Sequence, residues 1–201
     1  MKRDETNRRR AAFLDRDGVI NLDRGYVYRR EDFDFVPGVL EGARRLHDLD
    51  YALIVVTNQS GIGRGLFSEA QFHELSDWMR ERFITAGAPL SGVYFCPHHP
   101  TEAHGRYLRN CDCRKPAPGM LLAAARDLNL DLGASAMFGD RRSDLEAALA
   151  ASVPLRVLLA TDGRDFPDAD VASSLATASF CRLDDALEER TLFGWNKAGT
   201  Q

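Results

Sequence analysis

Long apolar runs are missing from this chain of 201 residues. None approaches the roughly 20 residues that span a bilayer. Met1–Arg10 is charged and lacks the apolar stretch of a signal peptide, so a cytoplasmic protein with no membrane partner is expected. An excess of positive charge is missing too. The net charge of −4 argues against a nucleic-acid footprint over the whole domain. No basic stripe with interleaved stacking aromatics appears, which excludes a polynucleotide-directed surface. Lys2, Arg3, Arg8, Arg9 and Arg10 are the exception, and they read as a solvated tail over 1–10. There is no repeat and no low-complexity segment. Cysteine is scarce, with four residues, yet three of them fall between 96 and 113.

What is present suits one soluble domain. The 44% hydrophobic content is ordinary, and the length would cramp a second domain. The domain is expected over 11–190, with a loose tail at 191–201. Ala11–Leu14, Ala52–Val56, Val93–Phe95, Ala136–Phe138, Val157–Ala160 and Phe180–Cys181 read as strands. Between them, Gly38–Leu49, the segment behind the Ser68/Gln71 capping box, Met120–Leu128, Asp144–Ala151 and Asp184–Glu189 read as helices. Such alternation predicts an α/β fold with a doubly wound, mostly parallel sheet covered on both faces. Ligands of such sheets bind at the carboxyl ends of the strands.

The first strand runs into Phe13-Leu14-Asp15-Arg16-Asp17-Gly18. Side chains at i and i+2 share a side of an extended chain, so Asp15 and Asp17 are expected to converge above the sheet edge. Two such carboxylates stay ionised together only around a cation, and hard oxygen ligands favour Mg²⁺. A free carboxylate beside Mg²⁺ suits attack on phosphorus and an aspartyl-phosphate. Three weaker motifs fall on the same rim. Thr57 at a strand end, with the glycines of Asn58-Gln59-Ser60-Gly61-Ile62-Gly63-Arg64-Gly65, offers a hydroxyl and backbone N–H groups to phosphate oxygens. Lys115 in Arg114-Lys115-Pro116 offers a cation to a phosphoryl group. Asp140 in Gly139-Asp140-Arg141-Arg142-Ser143-Asp144 offers another metal ligand, and Asp144 a partner for Lys115 or a metal-bound water.

Cys96-Pro97-His98-His99 and Cys111-Asp112-Cys113 form a second constellation. A Cys111–Cys113 disulfide would be strained. Cys-x-His with Cys-x-Cys supplies four soft or borderline ligands, which suits a closed, structural Zn²⁺ site that staples the loop between. His99 and His104 are alternative ligands. Cys181 reads as a buried small hydrophobe in a strand.

These strings, FLDRDGVIN from Phe13, TNQSGIGRG from Thr57, CPHHP from Cys96, CDCRKPAPGM from Cys111 and GDRRSD from Gly139, resemble the haloacid-dehalogenase (HAD) superfamily of phosphatases. Within it they are most similar to the heptose-bisphosphate phosphatases of the histidinol-phosphatase-related branch. The resemblance implies a Mg²⁺-dependent sugar-bisphosphate phosphatase, feeding nucleotide-linked heptose or lipopolysaccharide synthesis, with Asp15 as nucleophile and Asp17 as general acid–base. It implies Thr57 and Lys115 as phosphoryl stabilisers. Mg²⁺ would lie on Asp15, Asp140 and the Asp17 backbone carbonyl, and Zn²⁺ on Cys96, His98, Cys111 and Cys113. Substrate contacts carry over to Asp23, Arg24, Gly25, Tyr26, Thr57, Asn58, Gln59, Ser60, Arg114, Lys115 and position 141, where the family's usual lysine is Arg141. A small phosphorylated sugar is the expected partner and a monomer the expected state. The stretch between Asp17 and Gly38 is too short for a folded cap domain, so an open site is expected, with the Cys/His loop in its wall. Histidinol phosphate is the rival substrate, and a zinc-stabilised phosphate-binding module the rival without chemistry.

Overall fold

The computed structural model describes residues 8–160, 172 and 174–193. Six parallel strands form one sheet: β1 (Arg9–Leu14), β2 (Ala52–Asn58), β3 (Leu90–Cys96), β4 (Leu130–Gly139), β5 (Leu155–Leu159) and β6 (Ala178–Phe180). Their order is β3-β2-β1-β4-β5-β6, and every pairing is parallel. The order reverses direction beside β1, between its neighbours β2 and β4, and a doubly wound sheet opens its ligand crevice at such a point.

Alternate residues of the inner strands feed two cores, which is why these strands read as unbroken apolar runs. Ala12, Leu14, Leu53, Val55 and Phe138 face one core; Ala11, Phe13, Ile54, Val56 and Met137 face the other. The first core is closed by α1 (Val39–Asp48), α3 (Glu69–Thr85) and α6 (Leu183–Glu188). The second is closed by α4 (Gly119–Leu128) and α5 (Arg142–Ala150). The Ser68/Gln71 box caps α3 as expected, in both directions. Phe72, Leu75, Met79 and Phe83 form its buried face.

The differences from expectation have local causes. β1 starts at Arg9 rather than Ala11, and β4 at Leu130 rather than Ala136, because the two early segments pair with each other. A register shift follows, bridged by Ser135 Oγ accepting from Ala11 N at 2.9 Å. Arg10 therefore does not sit in a solvated tail: its guanidinium lies 4.3 Å from the centre of the Tyr51 ring. Arg9 opens β1 as well; residues 1–7 of the expected basic tail lie outside the described residues, as does 194–201 of the expected C-terminal tail. A one-turn helix, α2 (Ser60–Gly63), stands where only a glycine-rich loop was expected. Cys181 is exposed, not buried. It follows β6, a three-residue strand at the sheet's edge, where no strand among the described residues covers it.

Candidate active site

The carboxyl ends of β1, β2 and β4 open into a cleft of about 530 Å³. At its floor is a chain of buried charge. Lys115 Nζ lies 2.7 Å from Asp15 Oδ1 and 2.7 Å from Asp144 Oδ1, and donates to Val56 O at 2.8 Å. The Lys115 side chain is only 2% exposed. Its backbone is held across β2 by a reciprocal pair: Lys115 N donates to Asn58 Oδ1, and Asn58 Nδ2 to Lys115 O, both at 3.0 Å. Buried ion pairs break about even with apolar packing, so three such charges are poor stabilisers and are better read as chemistry.

Asp140 completes the floor. Ligand oxygens of Asp15, Asp140 and Asp144 lie within 4.8 Å of one another. Burial first, then Asp144 and Asp15, push the Asp140 carboxyl up to about 9. Burial likewise raises Asp15 to about 7, against the opposing pull of Lys115; Asp144 and Asp17 add to the rise. Burial alone would lower Lys115, but Asp144 and Asp15 more than offset it and hold the ammonium form. Asp140 Oδ1 is buried without a hydrogen-bond partner. Gly18, at φ +94°, makes room here, since a Cβ would fall 2.1 Å from Asp140 Oδ2. Crowded carboxylates, one with an orphaned oxygen, are the donor set of a hard divalent cation.

Asp17 departs from expectation. Its side chain lines the cleft but does not join the Asp15 cluster. The chain turns at Arg16, whose carbonyl accepts from Ile20 N and Asn21 N, and the Asp17 carboxylate takes its own set of partners. Arg16 Nη2 donates to both Asp17 oxygens, at 2.8 and 2.9 Å. Asn21 Nδ2 donates to Oδ1 at 3.1 Å, and Gln59 Nε2 to Oδ2 at 2.8 Å. Gln59 Nε2 also lies 2.9 Å from Thr57 Oγ1, so one amide ties the carboxylate to the hydroxyl. Arg16 is 1% exposed, and the sequence reading assigned it nothing. Its one signal was an arginine lodged between two carboxylates behind an apolar strand.

Asp23, Gly25, Tyr26, Asn58, Gln59, Ser60, Arg114 and Arg141 all line the cleft, with Thr57, Lys115 and, outside the expected contacts, Ser143 and Arg64. Arg24 does not: it pairs with Asp34 at 2.6 Å on the surface, both side chains more than half exposed. Arg141 closes over the rim to Asp23, 2.6 Å away.

Cys96, His98, Cys111 and Cys113 bring three sulfurs and one ring nitrogen within 4.8 Å of one another. His98 Nδ1 lies 3.2 Å from Cys113 Sγ and 3.6 Å from Cys96 Sγ. The Cys96–Cys113 hydrogen bond holds the Cys113 thiol down at about 5, and the same contact, with burial, pushes Cys96 far up. One proton thus serves sulfurs that a soft cation would bind directly, and a set of three sulfurs and one imidazole nitrogen fits Zn²⁺. His99 and His104 stand outside the cluster: His99 Nδ1 accepts from Glu102 N at 3.0 Å, and His104 is exposed. No residue of the loop itself lines the cleft, contrary to expectation. The loop buttresses the wall from behind, through Arg114 Nη1 donating to His98 O at 3.3 Å.

The HAD-hydrolase-like family matches residues 112–178. D-glycero-beta-D-manno-heptose-1,7-bisphosphate 7-phosphatase of Photorhabdus laumondii is 46% identical over 178 residues, 89% of this chain and 95% of that one. The chain belongs to the heptose-bisphosphate phosphatase family. A Burkholderia mallei member, named for the alpha anomer, is 52% identical over 170 residues, covering 85% of this chain and 86% of its own. The D,D-heptose 1,7-bisphosphate phosphatase of B. bronchiseptica, solved with magnesium and phosphate, superposes with a TM-score of 0.75 at 29% identity, covering 90% and 98% of the two chains. This family shares the HAD-like parallel sheet described above. No helix among the described residues is long and apolar enough to cross a membrane.

Proposed function

We propose that this enzyme hydrolyses the 7-phosphate of D-glycero-D-manno-heptose 1,7-bisphosphate through an aspartyl-phosphate on Asp15. The observation that carries the reading is the buried Asp15–Lys115–Asp144 chain beside the orphaned Asp140 oxygen, at the floor of an arginine-lined cleft. An Asp15 oxygen attacks phosphorus as the bond to the sugar O7 breaks. Asp17 delivers the proton that O7 needs. In the second half, Asp17 takes a proton from water as its oxygen attacks the same phosphorus. The Asp15–phosphorus bond breaks and inorganic phosphate leaves. Lys115, Thr57 Oγ1 and the backbone N–H groups after it neutralise charge on the phosphoryl oxygens. Mg²⁺ held by Asp15, Asp140 and the Asp17 carbonyl would draw charge from those oxygens and keep Asp15 ionised. Zn²⁺ on Cys96, His98, Cys111 and Cys113 would fix the loop and take no part in the chemistry.

Arg114, on the cleft wall next to Lys115, holds the non-reacting phosphate in this reading. Its planar guanidinium offers two parallel donors. The product feeds nucleotide-linked heptose synthesis, and the working form is a cytoplasmic monomer. Histidinol phosphate suits the site less: Arg64, Arg114 and Arg141 line it, and the rim acid Asp23 is paired with Arg141. Purified protein with Mg²⁺ should release phosphate from the heptose bisphosphate at least tenfold faster, in kcat/KM, than from histidinol phosphate. The opposite order overturns the assignment.

A further inference from the structure

Arg64 lines the cleft but takes no part in the proposed chemistry at the reacting phosphate. It follows α2. Its guanidinium lies over the Tyr26 ring, 5.7 Å from the centroid. Nε is buried and has no hydrogen-bond partner. Nη2, on the same edge of the guanidinium, pairs with Glu102 of the Cys/His loop. Glu102 is 57% exposed and Arg64 29%, and a pair so open to water contributes little. Other contacts keep the loop at this place. His104 N donates to Gly63 O at 2.8 Å, and a Cβ on Gly63 would fall 2.5 Å from Pro97 O. Arg64 and Arg114 both line the cleft, whereas the cation paired with Asp15 is Lys115. Two arginines therefore stand on the cleft wall outside the ion pair of the reacting carboxylate.

We propose that Arg64 and Glu102 are an exchangeable pair: Glu102 occupies Arg64 when the cleft is free, and the distal phosphate of the substrate displaces it. This rests on the bisphosphate reading above. Phosphate carries more charge than a carboxylate, and it can take Nε and Nη2 together, the side-on fork that a guanidinium presents best. The exchange gives the buried Nε the acceptor it lacks. The Cys/His loop thus acts on specificity through one surface carboxylate, without entering the cleft.

Glu102→Gln keeps the shape and removes the competing charge. With Mg²⁺ present, KM for heptose 1,7-bisphosphate should fall about two- to fivefold with kcat kept. In an Arg64→Ala background the same change should leave KM where it was. Arg64→Ala alone should lower the ratio of kcat/KM for the bisphosphate to that for p-nitrophenyl phosphate about tenfold. A KM that stays or rises in Glu102→Gln overturns the exchange, as does the same fall in the Arg64→Ala background. Thermal midpoints equal to wild type show that the exposed substitution has not disturbed the fold. Calorimetry with heptose 1-phosphate, which carries the distal group alone, tests the exchange independently of turnover: Glu102→Gln should bind it two- to fivefold tighter, and equal binding overturns it. A wild type that does not prefer the bisphosphate to p-nitrophenyl phosphate counts against the substrate reading instead.

Discussion

Asp15 is buried and touches the Lys115 ammonium, and in the proposed reaction it is the carboxylate that attacks phosphorus. Asp15→Asn is nearly isosteric but a very poor nucleophile. Turnover should vanish while thermal unfolding stays cooperative, and activity within tenfold of wild type would remove Asp15 from the role. Asp17→Asn should lose about 10²–10⁴-fold, the usual worth of general acid–base catalysis. Asp15 and Asp140 also set a pH dependence. Both hold their protons more tightly in the fold than the usual 3.8, up to about 7 and about 9. The folded state then binds more protons than the unfolded chain, so these two groups make metal-free stability fall as pH rises from 3.8 toward about 9. Mg²⁺ competes with the same protons. Its stabilisation, read as a Tm shift, should be larger at pH 8 than at pH 5.5, and Asp140→Asn should shrink the difference; equal shifts at both pH values would contradict a cation on these carboxylates. Arg114→Ala should lower the bisphosphate-to-p-nitrophenyl phosphate ratio of kcat/KM by roughly 10- to 100-fold. Equal losses on both substrates would tie Arg114 to the reacting phosphoryl group instead. At this scale the sequence was legible where a residue type has few reasons to stand at a strand end, as at Asp15, Thr57 and Asp140. It was silent on Arg16, because a buried arginine reads as a surface one until its partners are seen. It misplaced Arg24, because Asp34 comes beside it only in the folded loop.

The strands and helices extend the same lesson. Apolar runs located every described strand. They under-read β1 and β4, whose first residues, polar in β1 and broken by Asp131 and Gly133 in β4, pair only with each other. The capping box marked the start of α3, since its two hydrogen bonds are local in sequence. α2 was missed: one turn rich in glycine has no helical propensity, and it is packed in place by Phe67 and by the Cys/His loop. That loop is the element whose test is most direct. Protein purified without added zinc should carry about one equivalent, because four donors leave no open position. Cys111→Ser should loosen 97–110 and raise KM for the bisphosphate more than it lowers kcat, since the loop meets the cleft only through Arg114 and the α2–Arg64 segment. Substoichiometric zinc in a stable, active protein would count against the site.

The whole molecule follows from one topological fact. With β1 between β2 and β4, the carboxyl ends of three strands meet where the order reverses, and each delivers one part: Asp15, Thr57 and Asp140. Lys115 joins them from the segment before α4. Between Asp17 and α1 the chain holds a 3₁₀ turn and isolated bridges, so no folded cap is inserted there and, among the described residues, rim side chains line the cleft. Sequence alternation was enough to expect the doubly wound sheet, because both of its faces are buried. It could not show that the Cys/His loop stands behind the wall rather than in it, since that depends on packing against Gly63. An open site lined by arginines must distinguish two phosphates on one sugar. Wild-type protein with Mg²⁺ and heptose 1,7-bisphosphate, followed by ³¹P NMR through one turnover, reads that choice directly. Heptose 1-phosphate and inorganic phosphate should accumulate in equal amounts; heptose 7-phosphate as the product, or an even mixture of the two, would contradict the assignment.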